Sequence, residues 1–123
     1  MNKWQKDVLD FHEKFDCVRH EKPTEILQHY ARLRVDLIKE ELEELEDGIG
    51  QDNIVEVADA ITDLLYVVLG TAVAYGIDVE PLWEEVHKTN MAKEVGRKRE
   101  DGKIIKPPGW VPPDIEGLLK KQS

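Results

Sequence analysis

A chain of 123 residues with 41% apolar residues can build one compact core, so residues 1–123 are read as a single domain that needs a partner surface to finish burying its helices. A formal net charge of −9 excludes general binding to a nucleic-acid polymer or to an anionic membrane. The lone Cys17 cannot close an internal disulfide, and the polar stretch from Met1 to Asp10 is no signal peptide, so a cytoplasmic location is expected.

In chain order, Trp4, Val8, Phe11 and Phe15 recur at helical spacing and predict a first helix over Lys3 to Phe15. After a connector from Asp16 to Pro23, Pro23-Thr24 reads as a helix entry. A second helix is expected from about Glu25 to Asp47, with Ile26, Tyr30, Leu33 and Leu37 on one stripe. Gly48-Ile49-Gly50 reads as a breaker. A third helix is expected from Asp52 or Asn53 up to Gly76, its C-terminal glycine. The longest uncharged run, Leu64 to Ile77, has 14 residues, short of the ~20 needed to span a bilayer, so it predicts a buried helix and no membrane contact. A fourth helix covers Glu80 to Glu94, with Leu82, Val86 and Met91 on its apolar side. Asp101-Gly102 then signals a small hairpin between Arg97 and Lys106, and the prolines beyond Pro107 predict an extended tail over 107–123. The fold class is all-α: a bundle of about four main helices with a short irregular or hairpin C-terminal segment.

Chemistry concentrates in the carboxylates. Six of the eight residues from Glu40 to Asp47 are acidic, at the helix end whose dipole disfavours them. A solvated face is the ordinary reading of such a run. Between Ile54 and Ile77, however, the only charges are Glu56, Asp59 and Asp63, spaced to line one side of an otherwise apolar helix. If the second and third helices fold back about Gly50, residues whose numbers sum to about 100 lie level, pairing Glu44 with Glu56 and Glu41 with Asp59. Carboxylates crowded in this way cannot all stay ionised without cations, and hard divalent ions such as magnesium take oxygen ligands while leaving room for water and phosphates.

Glu40-Glu41-x-x-Glu44 followed by Glu56-x-x-Asp59 resembles the signature of the all-α nucleoside triphosphate pyrophosphohydrolases, the superfamily of MazG-like proteins and phosphoribosyl-ATP pyrophosphohydrolases. Glu43-Glu44-x-x-Asp47 also fits its first half. Asp59 to Gly70, Val86-His-Lys-Thr-Asn-Met-Ala-Lys93 and Asp101-Gly-Lys103 look like a small stand-alone branch similar to the phosphoribosyl-ATP enzymes. The gap between the acidic pairs is short for the superfamily. The resemblance implies magnesium-dependent hydrolysis of a nucleoside triphosphate to the monophosphate and pyrophosphate, with manganese as a substitute ion. It implies Glu41, Glu44, Glu56 and Asp59 as ligands, Glu40 to orient or deprotonate water, and Asp63 as an additional ligand or an acceptor behind the others.

The stretch from Lys88 to Lys106 carries +4 and the remainder −13. Asn90 and Lys93 are carried over from the resembled families as nucleotide contacts, with Arg97 and Lys106 as further candidates against a plain solvated surface. Trp110 suits base stacking or packing beside prolines, and Tyr66 suits the pocket edge or the core. His12, His20, His29 and His87 read as surface or structural. Relatives imply a homodimer or a dimer of dimers. The alternatives in function are a phosphoribosyl-ATP pyrophosphohydrolase of histidine biosynthesis and a non-catalytic helical regulatory module.

Overall fold

A computed structural model describes residues 1–123, and it is all-helical: α1 (Lys3–Lys14), α2 (Gln28–Gly50), α3 (Ile54–Tyr75), α4 (Val79–Met91) and α5 (Ile115–Gln122). Two compact units divide the chain, Met1–Asp78 and Val79–Ser123.

In the first unit α3 packs against both α2 and α1. Asn2 caps α1, its side chain accepting from the Gln5 amide at 2.9 Å. The buried line of α1 is Gln5, Val8 and His12, whereas Trp4, Phe11 and Phe15 of the expected stripe stay exposed. Two polar residues hold the buried line because they have backbone partners. The Gln5 amide donates to Ile77 O at 2.6 Å, and His12 Nδ1 meets Val18 O at 2.8 Å.

The connector from α1 to α2 closes the C-terminal end of α3. His20 N reaches Val73 O, His20 Nδ1 reaches Ala74 O at 2.7 Å, and Thr24 N reaches Tyr75 O at 2.8 Å. Gly76, left-handed at φ 72, lets Ile77 N bond Ala72 O and its own N bond Val73 O. All four carbonyls that a helix leaves free are thereby satisfied, so the glycine stop reads as expected. This use of Thr24 also explains why α2 begins at Gln28 rather than near Glu25.

The expected break at Gly48 does not occur, and α2 runs through Gly50. Gly48 is buried, and a methyl built there would lie 3.1 Å from Glu56 Cβ and from Val57 N. This glycine lets α2 and α3 approach. The reversal lies instead at Gln51–Asn53, with Asp52 at φ 50 and Asn53 capping α3 through Glu56 N at 3.2 Å. By length and composition α3, with 22 residues, is apolar enough to cross a membrane, although a core helix passes the same test. It carries Glu56, Asp59 and Asp63 along one side, which a lipid-facing helix would not tolerate cheaply.

Outward-facing apolar residues recur every seven positions on this hairpin: Val35, Leu42 and Ile49 on α2, and Ile54, Ile61 and Val68 on α3.

In the second unit α4 packs against α5. The hairpin expected between Arg97 and Lys106 is present as one antiparallel bridge, Lys98 with Ile104, flanked by Arg99 N to Lys103 O at 2.7 Å and Ile105 N to Arg97 O at 2.8 Å. The expected extended tail is only half right. Residues 107–113 are non-helical, but Asp114 then caps α5, accepting from Gly117 N at 3.0 Å. Ile115, Leu118 and Leu119 give α5 a half-buried side at helical spacing.

Candidate metal centre

The position of the reversal decides which acids meet. With the turn centred near Asp52, level residues sum to about 104 rather than 100, as Gly48 opposite Glu56 shows. The four-residue change moves every pairing by about one helical turn. Glu41 therefore comes level with Asp63, not with Asp59. Carboxylate oxygens of Glu41, Glu44 and Asp63 all lie within 4.8 Å of one another, two from α2 and one from α3. Glu56 and Asp59 are exposed on α3 outside this trio, and the expected pairing of Glu44 with Glu56 is replaced.

Within the trio, Glu41 is half-buried, and its Oε2 is sealed from solvent with no hydrogen-bond partner. Burial raises its pKa, and the charge of Glu44, a hydrogen bond to Glu44, and the charges of Asp63 and Asp59 raise it further. Asp63 is also raised, by burial first and then by Asp59 and Glu44. Each shift marks an unpaid electrostatic conflict among acids with no arginine or lysine between them. A buried carboxylate oxygen without a partner, on a residue of an all-carboxylate cluster, fits a hard divalent cation, whose remaining positions would be free for water or phosphate oxygens. The three side chains have the chemistry to hold magnesium, with Asp59 adding charge close enough to act on both Glu41 and Asp63.

Glu40 is exposed, one residue before Glu41. Glu43, of the alternative register, is exposed and outside the trio. Tyr66 packs edge-to-face on Phe11 at 5.7 Å, with its pKa raised by burial and then by Asp7, so it belongs to the α1–α3 contact. The second unit holds Asn90, exposed, and Arg97, whose Nε donates to Glu94 at 2.6 Å. Lys93 and Lys106 lie over the ring of Trp110.

Sequence reasoning gave no weight to Arg34. It is buried in the first unit, donating from Nη2 to Val67 O at 2.9 Å and from Nε to Thr71 Oγ1 at 3.3 Å. Gly70 makes the space, since a methyl there would collide with the guanidinium. The signal was present as a glycine inside an apolar helix, a mark of close approach.

The family model for phosphoribosyl-ATP pyrophosphohydrolase matches residues 8–90, from within α1 through α2 and α3 and most of α4. An uncharacterized protein of Acanthamoeba polyphaga mimivirus is 47% identical over 50 residues, a match covering 41% of this chain and 20% of the viral protein. The chain thus spans well under half the length of that relative. With two thirds of its residues matched and an all-helical fold around paired acidic helices, the chain belongs to the phosphoribosyl-ATP pyrophosphohydrolase family, within the MazG-like all-α pyrophosphohydrolases.

Proposed function

We propose that the chain hydrolyses nucleoside or deoxynucleoside triphosphates between the α and β phosphates, in house-cleaning of the cytoplasmic nucleotide pool. The observation that carries this reading is the trio of Glu41, Glu44 and Asp63, one of whose members, Glu41, has a buried oxygen without a partner. Glu41, Glu44 and Asp63 would hold a magnesium ion, with Asp59 and Glu56, earlier on α3, as further candidate ligands. Bound magnesium supplies charge neutralisation for the polyphosphate and a more acidic water. Glu40, free of the trio and facing solvent, orients the attacking water and accepts its proton. Asn90, Lys93, Arg97 and Lys106 contact the substrate, Arg97 after release from Glu94.

The family name favours phosphoribosyl-ATP as a second substrate reading. Against it stand Asn90-Met-Ala-Lys93 and Asp101-Gly-Lys103, which resemble the stand-alone branch. A panel of dNTPs, NTPs and phosphoribosyl-ATP, assayed for pyrophosphate with and without magnesium, separates the readings. Magnesium-dependent release from triphosphates is expected. Release from phosphoribosyl-ATP alone supports the second reading, and release from none supports a regulatory module.

The heptad stripes on α2 and α3 support a homodimer formed by helix-on-helix packing, itself able to pair into a dimer of dimers.

A further inference from the structure

An aromatic patch lies open beside the carboxylate trio. The ring centroids of Phe11 and Phe15 on α1 are 4.7 Å apart, and Tyr66 of α3 meets Phe11 edge-to-face at 5.7 Å. All three stay in contact with water: Phe15 is 58% exposed, Phe11 42% and Tyr66 40%. Covering aromatic rings is favourable, so three touching rings left to solvent mark a surface that a ligand or partner can use. α1 runs antiparallel to α3, with Gln5 bonded to Ile77 O and Phe11 against Tyr66. Phe15, about one turn beyond Phe11, therefore comes level with the turn that carries Asp63. Tyr66 is also seven residues after Asp59, on the same face of α3. That face points away from the stripe of Ile54, Ile61 and Val68, so pairing of two copies through the stripe leaves the rings open.

We infer that Phe11, Phe15 and Tyr66 are a stacking platform for a nucleobase, gripping the base by its face and not reading its edge. The inference deepens the proposed hydrolysis, resting on it for the identity of the base as the substrate's. A nucleotide joins a flat π face to an anionic tail that travels with a divalent cation, and this part of the first unit offers both complements side by side: open rings on α1 and α3, and the all-carboxylate trio on α2 and α3. Trp110 is poorly placed for the same task. Lys93 and Lys106 lie over its ring at 5.3 Å and 5.1 Å, and its Nε1 is tied to Thr89 O. The platform supplies ring faces and a single hydroxyl, that of Tyr66, with Lys14 over the Phe15 ring at 5.4 Å. Every base has a π face, and stacking grows with ring area, so purines bind ahead of pyrimidines and adenine binds much as guanine does.

The test titrates the full chain with dAMP, dGMP, dCMP and dTMP in EDTA at fixed ionic strength, following its aromatic rings by NMR. Saturable upfield shifts at Phe11, Phe15 and Tyr66 are expected. The two purine nucleotides should bind within about threefold of each other, and at least about fivefold more tightly than the two pyrimidines. Phe15→Leu, with helix content unchanged by circular dichroism, should weaken dAMP about tenfold, while Trp83→Leu, which removes an exposed ring from α4, should change it less than about twofold. With magnesium present, Phe15→Leu should raise KM for dATP about tenfold and leave kcat within about twofold. No shift at the three rings, a pyrimidine bound as tightly as dAMP, or more than about tenfold discrimination between dAMP and dGMP overturns the inference. Equal shifts with deoxyribose 5-phosphate, which has no base, overturn it in favour of a sugar-phosphate site. A lower sedimenting mass for Phe15→Leu with dAMP binding unchanged overturns it in favour of a contact between copies. The titration needs neither metal nor cleavage, so its failure leaves the hydrolysis reading standing. A failed substrate panel likewise leaves base binding intact.

Discussion

Glu41 is held in conflict by its neighbours, and the conflict has a measurable consequence. Its pKa and that of Asp63 are raised in the folded chain, so without metal these groups favour folding in acid and lose that contribution as pH rises through their folded values. Glu44→Gln removes one of the repelling charges. In metal-free buffer near neutral pH it should stabilise the protein by a few tenths to about 1 kcal/mol. The same change should abolish the rise in melting temperature on adding magnesium. It should also cut pyrophosphate release by more than the roughly 10–100-fold typical of groups that only support a ligand. Thermal denaturation and the release assay check both halves. His12 titrates with the opposite sign. Burial lowers its pKa below the ordinary 6.5, opposed by its hydrogen bond to Val18, with Arg34 and Arg19 lowering it further. The unfolded chain therefore binds the extra proton, and stability falls as pH drops below 6.5. Between that value and about pH 5, the melting temperature should fall more steeply for the wild type than for His12→Asn, which keeps an N–H for Val18 O but does not titrate.

At the scale of elements, most of the fold was legible because caps and spacing agree. Asn53 and Gly76 bracket α3, as their residue types require. Gly76→Ala would strain a left-handed residue and drive a methyl into the Lys22 carbonyl, costing about 2–4 kcal/mol, read from the midpoint of urea unfolding. Gly48 misled in the opposite direction. A glycine at the end of a helix and one at a helix crossing look alike in sequence, and only the presence of Glu56 and Val57 opposite distinguishes them. That single ambiguity moved the expected pairing by a turn, so that Asp59 rather than Asp63 was set level with Glu41, and Asp63 was left open between an additional ligand and an acceptor behind the others. Glu41 and Glu44 were legible regardless, because they lie upstream of the glycine on an uninterrupted helix. α5 was hidden by the prolines before it, although Asp114 with Ile115, Leu118 and Leu119 carries a sufficient helix signal. The polar buried side of α1 was not legible at all, since Gln5 and His12 are tolerated there only through carbonyls supplied by distant or non-helical residues.

For the whole molecule, assembly through the first unit is expected. Its two heptad stripes offer the apolar centre that an interface of about 800 Å² per partner requires. Sedimentation should give at least twice the 14.2 kDa chain mass, and Ile61→Glu should reduce it to one chain without loss of helix content. A wild-type chain sedimenting as a monomer would show that the stripes are covered in some other way.

The proposed chemistry depends on Glu41, Glu44 and Asp63 sharing one divalent ion. Crystals grown with manganese and measured at its absorption edge test it directly. The expected result is an anomalous peak bonded at about 2.1–2.2 Å to carboxylate oxygens of all three residues. A peak bound elsewhere, or full occupancy retained in Asp63→Asn, would contradict it.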